Sequence, residues 1–380
     1  MKKGPNFGRG LFPFYCNTVV LEFRLLSRIQ AAGLSGINDF VPKTIVELQS
    51  FTNMPNMKAQ SLFRISWAGA VVLLLASALW LPFSHLTLRS GENFLQLVAF
   101  NIVGWVPCQF IAYRLRNDST RLGSRMRGIA ARFALAFQVF TLLSVLIIGA
   151  MIFSHLGVAA ALPLQDDVFA TFDRAVGFDW IALLKYLNSY SWLSRAVSFI
   201  YWSSALQLLF VLLLLSALLQ REGLAEAQAI LSVSTVIVCV VGYAFPAAGA
   251  IPFYQPSAEH LTNFNPLSGM WHYEQFMHLR TSPTPLLDFS NPAGVIQFPS
   301  LHVVIAIVTV FALRGIRALF WPALVINLVV ILGTLPEGGH HLADSLAGGV
   351  IAFAVILALN RAGLLAGDRT ITFAIGKVLS

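Results

Sequence analysis

The sequence has few charged residues for its length. Of its 380 residues only 11% are Asp, Glu, Lys or Arg, whereas soluble globular domains carry about 25%. Apolar residues make up 57% of the chain, and the mean hydropathy is +0.73. A chain with so little ionic surface cannot remain in water as two soluble domains. The composition therefore excludes a soluble globular protein and predicts an integral membrane protein.

Cysteine is also scarce, and the three cysteines, Cys16, Cys108 and Cys239, fit no zinc-binding or disulfide spacing. Acidic residues number 17 against 25 Lys and Arg, which gives a net charge of +8. In a soluble protein this excess would point to nucleic acid, but in a membrane protein it reports which loops face the cytoplasm. We therefore expect neither cysteine chemistry nor a nucleic-acid partner.

Eight apolar segments are candidates for helices that cross a bilayer, which requires roughly 20 mainly apolar residues. No fixed-period repeat or polar low-complexity tract interrupts them. The predicted fold class is an all-α polytopic helical bundle with about eight spans. The predicted spans are 66–83, 94–113, 133–155, 197–219, 227–248, 299–313, 318–335 and 341–359.

The orientation of the bundle follows from where the cations fall. The predicted loop after the second span has six arginines between positions 114 and 132, and such a loop prefers the cytoplasm. Counting alternately from this loop places both termini in the cytoplasm. The acids on the opposite, external side then include Asp166, Asp167, Asp173 and Asp179. We expect the protein in the cell (inner) membrane, with its active site facing outward.

Two segments are not predicted to span. Residues 1–65 have no long apolar run and no signal-peptide pattern, and we interpret them as a cytoplasmic segment whose true start is Met1, Met54 or Met57. Residues 166–193 mix aromatic and charged side chains, which predicts either helices in the membrane interface or a plain external loop.

The first functional pattern opens the sixth predicted span and reads Gln297-Phe-Pro-Ser-Leu-His302. Proline is tolerated in the first turn of a helix, so Pro299 predicts a helix start that leaves free N–H groups near Ser300 and Leu301. A helix N-terminus of this kind binds anions. His302 would then lie beside a bound phosphate, or else it is an ordinary interfacial histidine.

The second pattern opens the eighth predicted span and reads Gly338-Gly-His-His-Leu-Ala-Asp344. His340 and Asp344 are four residues apart and share one helical face. The carboxylate can take the proton of one ring nitrogen and leave the other nitrogen nucleophilic. Asp344 is the only acid that the predicted spans contain, and an ionisable group at such a position is a functional hypothesis by default. Gly339 would let the backbone approach a ligand, or would simply form a turn.

The order of the spans brings His302 and His340 to the same external mouth of the bundle. Two histidines, one backed by an aspartate, then meet near an anion-binding helix end. This arrangement suits phosphoryl transfer, in which one histidine attacks phosphorus and the other protonates the leaving oxygen. Water or an alcohol would later release the phosphoryl group from the histidine.

At these residues the sequence resembles the type 2 phosphatidic acid phosphatase superfamily. That family's second motif is Pro-Ser-Gly-His and its third ends in His, three residues, Asp; here they read Pro299-Ser-Leu-His302 and His340-His-Leu-Ala-Asp344. The leucine in the second motif and the Gly-Gly-His-His in the third are more similar to the branch that contains inositolphosphorylceramide synthase and its bacterial relatives. Segments 172–180 and 279–280 also resemble those bacterial relatives, so that the resemblance covers approximately residues 130–360.

The resemblance implies that His340 is the nucleophile, Asp344 its orienting partner and His302 the general acid, with no metal and no cofactor. It also implies a division into two additional spans with a basic loop at 66–129, a six-helix catalytic core at 130–362 and a cytoplasmic tail at 363–380. The family's first motif, a lysine followed by Arg-Pro, is absent, and Gly333 and Thr334 stand where the third motif has Ser-Arg. Two phosphate-binding cations are therefore missing.

We predict that Arg280, Ser300 and Gly339 bind the phosphate instead. Arg174, Lys185 and Arg195 are the next candidates after Arg280, and an ordinary interfacial arginine is the alternative for Arg280 itself.

The sequence favours a membrane-embedded phosphatase or phosphotransferase that acts on a lipid phosphate ester, with the bilayer, the lipid substrate and an alcohol head-group acceptor as partners. Hydrolase and transferase share the same covalent intermediate, so the sequence leaves both open. A transporter is the alternative from another class of protein. It is less favoured because the polar residues inside the other predicted spans of this chain are all uncharged. A zinc enzyme that uses His302, His340, His341 and Asp344 is a third reading.

Overall fold

The computed structural model describes residues 57–89, 92–265, 269–290 and 293–366. Most of the predicted N-terminal segment 1–65, including Met1 and Met54, lies outside the described residues, as does most of the tail 363–380. The described residues belong to one compact unit. This unit is mainly helical, which confirms the predicted all-α bundle.

The described residues form thirteen α-helices. Five of them are long and apolar enough to cross a membrane. The number is six if the two helices Ser191–Trp202 and Ser204–Ala217, which are bent by 48° relative to each other, count as one span. The predicted count of eight spans is therefore not confirmed, although every predicted span falls on a helix. The helices are α1 Met57–Trp80, α2 Glu92–Arg114, α3 Arg121–Ala159, α4 Asp166–Ala175, α5 Trp180–Asn188, α6 Ser191–Trp202, α7 Ser204–Ala217, α8 Arg221–Ala244, α9 Ala250–Tyr254, α10 Tyr273–Thr281, α11 Leu301–Ala312, α12 Arg317–Thr334 and α13 Leu342–Arg361.

The predicted basic loop 114–132 is wrong in its extent. Helix α3 already begins at Arg121, where the side chain of Thr120 caps the helix by accepting a hydrogen bond from the Gly123 N–H. Alanine and arginine are good helix formers, so the arginines continue the helix instead of ending it. With 39 residues, α3 is roughly 58 Å long, and its first turns extend beyond a hydrocarbon core of about 30 Å.

Helix α8 forms the centre of the bundle. In the most apolar 18 consecutive residues of α8, 72% of the residues are buried, whereas the corresponding share in the other four candidate spans is 22–39%. Helix α1 packs directly on α8, because the hydroxyl of Ser232 donates to the carbonyl of Ser66 (2.7 Å) and a Cβ at Gly69 would lie 2.5 Å from that hydroxyl. Small residues allow such close helix approach in membranes. The first additional span is thus an integral part of the bundle.

Helices α11 and α13 bring the two sequence motifs together. A Cβ at Gly348 of α13 would lie only 2.3 Å from the carbonyl oxygen of Ser300, the residue that precedes α11. Glycine at this position therefore permits the starts of the two helices to touch. A short parallel strand pair, β1 Thr87–Arg89 and β2 Leu286–Asp288, joins the segments outside the helices.

The stretch 166–193 is helical and not a plain loop. It consists of α4, α5 and the start of α6, and Asp179 caps α5 by accepting a hydrogen bond from the Ala182 N–H. Helix α4 buries Asp166 and Asp173 together with Phe169. These acids therefore lie inside the protein and not on its surface.

Candidate active site

The loop between α12 and α13 carries His340 and is held by other parts of the fold. The backbone N–H of His340 donates to the carbonyl of Thr334 (3.1 Å), and its carbonyl accepts from the indole N–H of Trp180 (3.1 Å). The side chain is 4% exposed. His340 is therefore fixed at both backbone groups and shielded from bulk solvent.

The side chain of His340 has one partner on each ring nitrogen. Nδ1 lies 3.2 Å from Oδ2 of Asp344, in the first turn of α13, and Nε2 lies 3.2 Å from the hydroxyl of Ser300. With the proton on Nδ1 donated to Asp344, Nε2 keeps a free lone pair, and the Ser300 hydroxyl can donate to it. The structure thus brings His340, Asp344 and Ser300 together, while their roles stay predictions. The predicted shared helical face of His340 and Asp344 is wrong, because α13 begins at Leu342 and His340 lies in the loop before it.

Three glycines in the left-handed region form the support of this loop, Gly249, Gly269 and Gly339. A Cβ at Gly339 would lie 2.8 Å from the Cα of Gly269, and a Cβ at Gly249 would lie 2.8 Å from the Gly339 carbonyl oxygen. That oxygen accepts a hydrogen bond from the backbone N–H of Ala250 (2.6 Å). The structure explains Gly339 by close approach of three backbone segments, and its predicted phosphate contact stays a prediction.

The start of α11 differs from the prediction in two respects. Pro299 precedes the N-cap and does not lie in the first turn of the helix. Helix α11 begins at Leu301 with Ser300 as its N-cap, and the Ser300 N–H donates to the backbone carbonyl of Asp344 (3.0 Å). This N–H was predicted to be free for an anion, which is wrong because the contact with α13 uses it. The serine hydroxyl lies 3.2 Å from Nε2 of His340.

His302 lies on the first turn of α11 and contacts a tyrosine that the sequence did not indicate. The hydroxyl of Tyr201 lies 3.3 Å from Nδ1 of His302, and the two rings are 4.7 Å apart. His302 interacts electrostatically with His340. A Cβ at Gly338 would lie 2.8 Å from the Tyr201 hydroxyl and 2.7 Å from Cδ2 of His340. Tyr201 therefore contacts His302 and, like the ring of His340, borders Gly338.

The two terminal nitrogens of Arg280, on α10, differ in their hydrogen bonding. Nη2 donates to the carbonyl of Leu162 (2.8 Å), whereas Nη1 is buried without a hydrogen-bond partner. Burial lowers the pKa of Arg280, and the nearby charge of Asp166 opposes this effect. The free Nη1 could bind an anion, but no described contact joins Arg280 to His340.

His341 is fully buried between two aspartates of α4. Nε2 lies 3.4 Å from Oδ1 of Asp166, and Nδ1 lies 3.6 Å from Oδ2 of Asp173. Burial disfavours its charged form, but the carboxylates of Asp166 and Asp173 outweigh burial and raise the pKa of His341 to about 9. The sequence had linked His341 only to a zinc site. Its adjacency to His340 was the signal, yet nothing in the sequence indicated the two partners.

Glu337 is a second buried acid that the sequence did not single out. It precedes the glycine pair before His340 and is fully buried. Its carboxylate accepts hydrogen bonds from the hydroxyl of Ser198 and from the indole N–H of Trp202 (2.9 Å), both on α6. Glu337 therefore ties the loop of His340 to the helix that supplies Tyr201.

His272 is a third buried histidine near the site. Its ring contacts the side-chain amide of Gln297, the first residue of the segment Gln297–His302. Burial, followed by interaction with His340, lowers the pKa of His272 to about 4. His272 is therefore a neutral side chain at neutral pH that packs against Gln297.

The zinc reading finds no matching geometry in the part of the chain that the structure describes. There, no group of three or more His, Cys, Asp or Glu side chains is arranged to hold a metal ion. His340 faces Asp344 and Ser300, whereas His341 faces Asp166 and Asp173. The two neighbouring histidines thus serve separate clusters.

Comparison with known families supplies the classification. The chain matches the model of the PAP2 superfamily, the type 2 phosphatidic acid phosphatases, over residues 167–358, about half of its length. The matched region contains His302, His340 and Asp344, and membership of this superfamily supports phosphoryl transfer of the phosphatase type in general. Searches among curated proteins and among solved structures find no match. With the two motifs meeting at one end of an apolar helical bundle, the chain belongs to the PAP2 superfamily.

Proposed function

We propose that the protein is a membrane-embedded lipid phosphate phosphatase or phosphotransferase that works through a phosphohistidine and without a metal ion. The observation that carries this proposal is the hydrogen bonding of His340, whose Nδ1 faces Asp344 while Nε2 faces the Ser300 hydroxyl. An imidazole held in this way has a fixed tautomer and one nucleophilic nitrogen.

In the first step, Nε2 of His340 attacks phosphorus and the bond from phosphorus to the leaving alcohol oxygen breaks. His302 donates a proton to that oxygen, and Asp344 stabilises the charge on His340. In the second step, water or an alcohol attacks phosphorus, His302 takes its proton and His340 is released. Ser300, Gly339 and Arg280 are the proposed phosphate contacts, and Tyr201 orients His302.

A lipid substrate is supported by the surroundings of the site. It lies where α11 and α13 begin, and α13 is one of the helices that could cross a membrane. A phosphate ester at the surface of a bilayer can therefore reach His340 while its acyl chains stay in lipid. The enzyme alternative is favoured over a transporter because the family match supports phosphoryl transfer.

An open polar depression near Glu337 favours a substrate or acceptor with a large polar head group. It measures about 460 Å³ and is lined by Arg195, Ser198, Thr262, Asn263 and Asn265, together with Phe264. The hydroxyl of Ser198 donates to Glu337, three residues before His340. Sites of roughly 300–1,000 Å³ hold small ligands, so a head-group transferase of the inositolphosphorylceramide synthase type is the second candidate function.

The decisive experiment offers purified protein a panel of lipid phosphates, with and without free alcohol head groups. Phosphate release indicates a hydrolase, and a new phosphodiester indicates a transferase. Acid-labile, alkali-stable label on His340 during turnover would support the phosphohistidine. Activity that disappears with a chelator and returns with zinc would contradict the metal-free mechanism, and no reaction with any substrate would contradict the enzyme itself.

We also propose that the site faces outward and both termini face the cytoplasm. The cations between Arg114 and Arg132 support this orientation. Cysteines introduced at Ser282 and Ser119 should then react oppositely with an impermeant thiol reagent in intact cells, with position 282 labelled. Labelling at position 119 alone would reverse the orientation.

A further inference from the structure

Two buried acids of α4 are bound to the segments that surround the proposed nucleophile. Asp173 accepts hydrogen bonds from the backbone N–H groups of Leu342 and Ala343 (both 2.9 Å), which begin α13. Asp166 accepts from the N–H groups of Ala248 (2.9 Å) and Gly249 (2.8 Å). Each carboxylate therefore satisfies two backbone donors that would otherwise be buried without partners.

The ring of His341 lies between these two carboxylates. It is 0% exposed, and the side chain of Asp173 is also 0% exposed. Two buried anions without a cation would be strongly unfavourable, and His341 is the basic side chain that contacts both of them. Its remaining contacts are aromatic, with Phe169, Phe253 and Tyr254 at ring distances of 5.6–6.3 Å.

The backbone of His341 connects this ion cluster to the nucleophile. Its N–H donates to Oδ2 of Asp344 (2.9 Å), and the same oxygen lies 3.2 Å from Nδ1 of His340. The position of His341 therefore determines where that oxygen stands. A displacement of His341 would move Asp344 relative to His340, and misplacement by about 1 Å can lower a rate by about 100-fold.

We propose that His341 is a positioning residue: as an imidazolium between Asp166 and Asp173 it clamps α4 to the start of α13, and through its backbone N–H it holds Asp344 in place to orient His340. It is neither a nucleophile nor a metal ligand in this arrangement. The clamp itself does not depend on the proposed function, whereas its effect on turnover rests on it.

The charged and titratable groups that face His341 set the pH at which the clamp should fail. They are Asp166 and Asp173 on α4, Asp344 on α13 and Tyr254 on α9, with Arg280 interacting with Asp166. The carboxylates support a folded-state pKa of His341 above its ordinary value. Stability from the clamp is then fully present below about pH 6.5 and is lost as the pH rises through about 9.

The test is a double-mutant cycle with His341→Gln, Asp173→Asn and the double variant, measured as melting temperature in detergent. His341→Gln leaves two buried carboxylates without their cation, and Asp173→Asn removes one of the two carboxylates that pair with His341, so both variants should melt several degrees lower than the wild type. The double variant removes the imidazolium together with one of its two partners and leaves Asp166, so its loss should be smaller than the sum of the two single losses, because residues in one cluster are not additive. Losses that simply add would overturn the clamp.

A second measurement follows the difference in melting temperature between wild type and His341→Gln from pH 6 to pH 10. This difference should shrink as the pH rises through about 9, and a constant difference would contradict a charged His341. If His341→Gln yields no folded protein, Asp166→Asn and Asp173→Asn replace it in the same comparison. The exposed histidine His278, changed to Asn, is the matched control and should show the wild-type curve.

The positioning role is tested by kinetics with a lipid phosphate that the wild type turns over. In His341→Gln we expect kcat to fall by about 10- to 100-fold with KM unchanged, and unchanged kcat in a folded variant would overturn the role. A wild-type protein without any phosphoryl-transfer activity, but with the expected coupling and pH response, would instead contradict the proposed function and leave the clamp in place.

Discussion

The two ends of the helical bundle satisfy buried carboxylates in different ways. Glu226, in the second turn of α8, is 1% exposed and pairs with Arg314, while the N–H of Ala366 donates to it (2.7 Å). The chain leaving the other end of α8 leads to the site, where the ionisable partners of Asp344 and Asp173 are histidines and backbone N–H groups supply their other hydrogen bonds. Glu226 also corrects the expectation that Asp344 is the only acid within a span.

This difference separates a structural ion pair from one that can move a proton. Arginine keeps its charge at any accessible pH, so Glu226 and Arg314 form a permanent pair that fixes α8 against the turn after α11. Histidine can gain or lose a proton near neutral pH. Histidine at one end and arginine at the other is therefore consistent with the proposed phosphoryl transfer at the histidine end.

The largest effect should follow from His340→Asn. Asparagine removes Nε2 and with it the proposed nucleophile, so turnover and the covalent adduct should both disappear for every substrate. The checks are phosphate release and mapping of alkali-stable label by mass spectrometry. His278→Asn, at an exposed position, should behave as the wild type. An adduct on His302 would reverse the proposed roles of the two histidines.

His302→Asn should have the next largest effect and should depend on the leaving group. Loss of general acid catalysis costs about 100- to 10,000-fold for substrates whose leaving oxygen needs a proton, and little for those with an acidic leaving group. Tyr201→Phe removes the hydroxyl 3.3 Å from Nδ1 of His302 and should lower the rate in the same substrates, but less. Equal losses for all leaving groups would contradict the role of His302 as an acid.

A change at the Glu226–Arg314 pair should lower the stability of the protein and leave its reaction rate unchanged. Glu226→Gln leaves Arg314 without its carboxylate, and breaking a buried pair costs about 3 kcal/mol, taken at the low end because Arg314 is partly exposed. The melting temperature should fall while kcat per folded molecule stays at the wild-type value. A selective loss of kcat with unchanged stability would remove the proposed distinction between the two ends.

Local patterns predicted the helices and the core of the site, because both depend on residues close in sequence. A run of apolar residues marks a helix, and the short separation of His340 and Asp344 predicted that they are neighbours. Their contact does not come from a shared helical face, because His340 precedes α13, whose N-cap His341 donates its backbone N–H to Asp344. Helix ends were less predictable, since capping by Thr120 extends α3 into a segment whose charges suggested a loop. The partners of His341 could not be predicted, because Asp166 and Asp173 lie far away in sequence and meet it only through packing of α4.

Arg280 tests whether the site end also uses a permanent cation, and here the expected effect is smallest. Its Nη1 is buried without a partner, and Nη2 anchors the side chain to Leu162. If Nη1 binds the phosphate, Arg280→Ala should raise KM and lower kcat/KM by about tenfold, the loss of one charged hydrogen bond of about 1.5 kcal/mol. Arg280→Lys keeps the charge but not the second donor, so it should lose less activity than Arg280→Ala.

Arg89→Ala, at an exposed arginine paired with Asp288, is the matched control. Wild-type kinetics in both Arg280 variants would make it an ordinary interfacial arginine and would direct the search for a phosphate-binding cation to Arg174, Lys185 and Arg195.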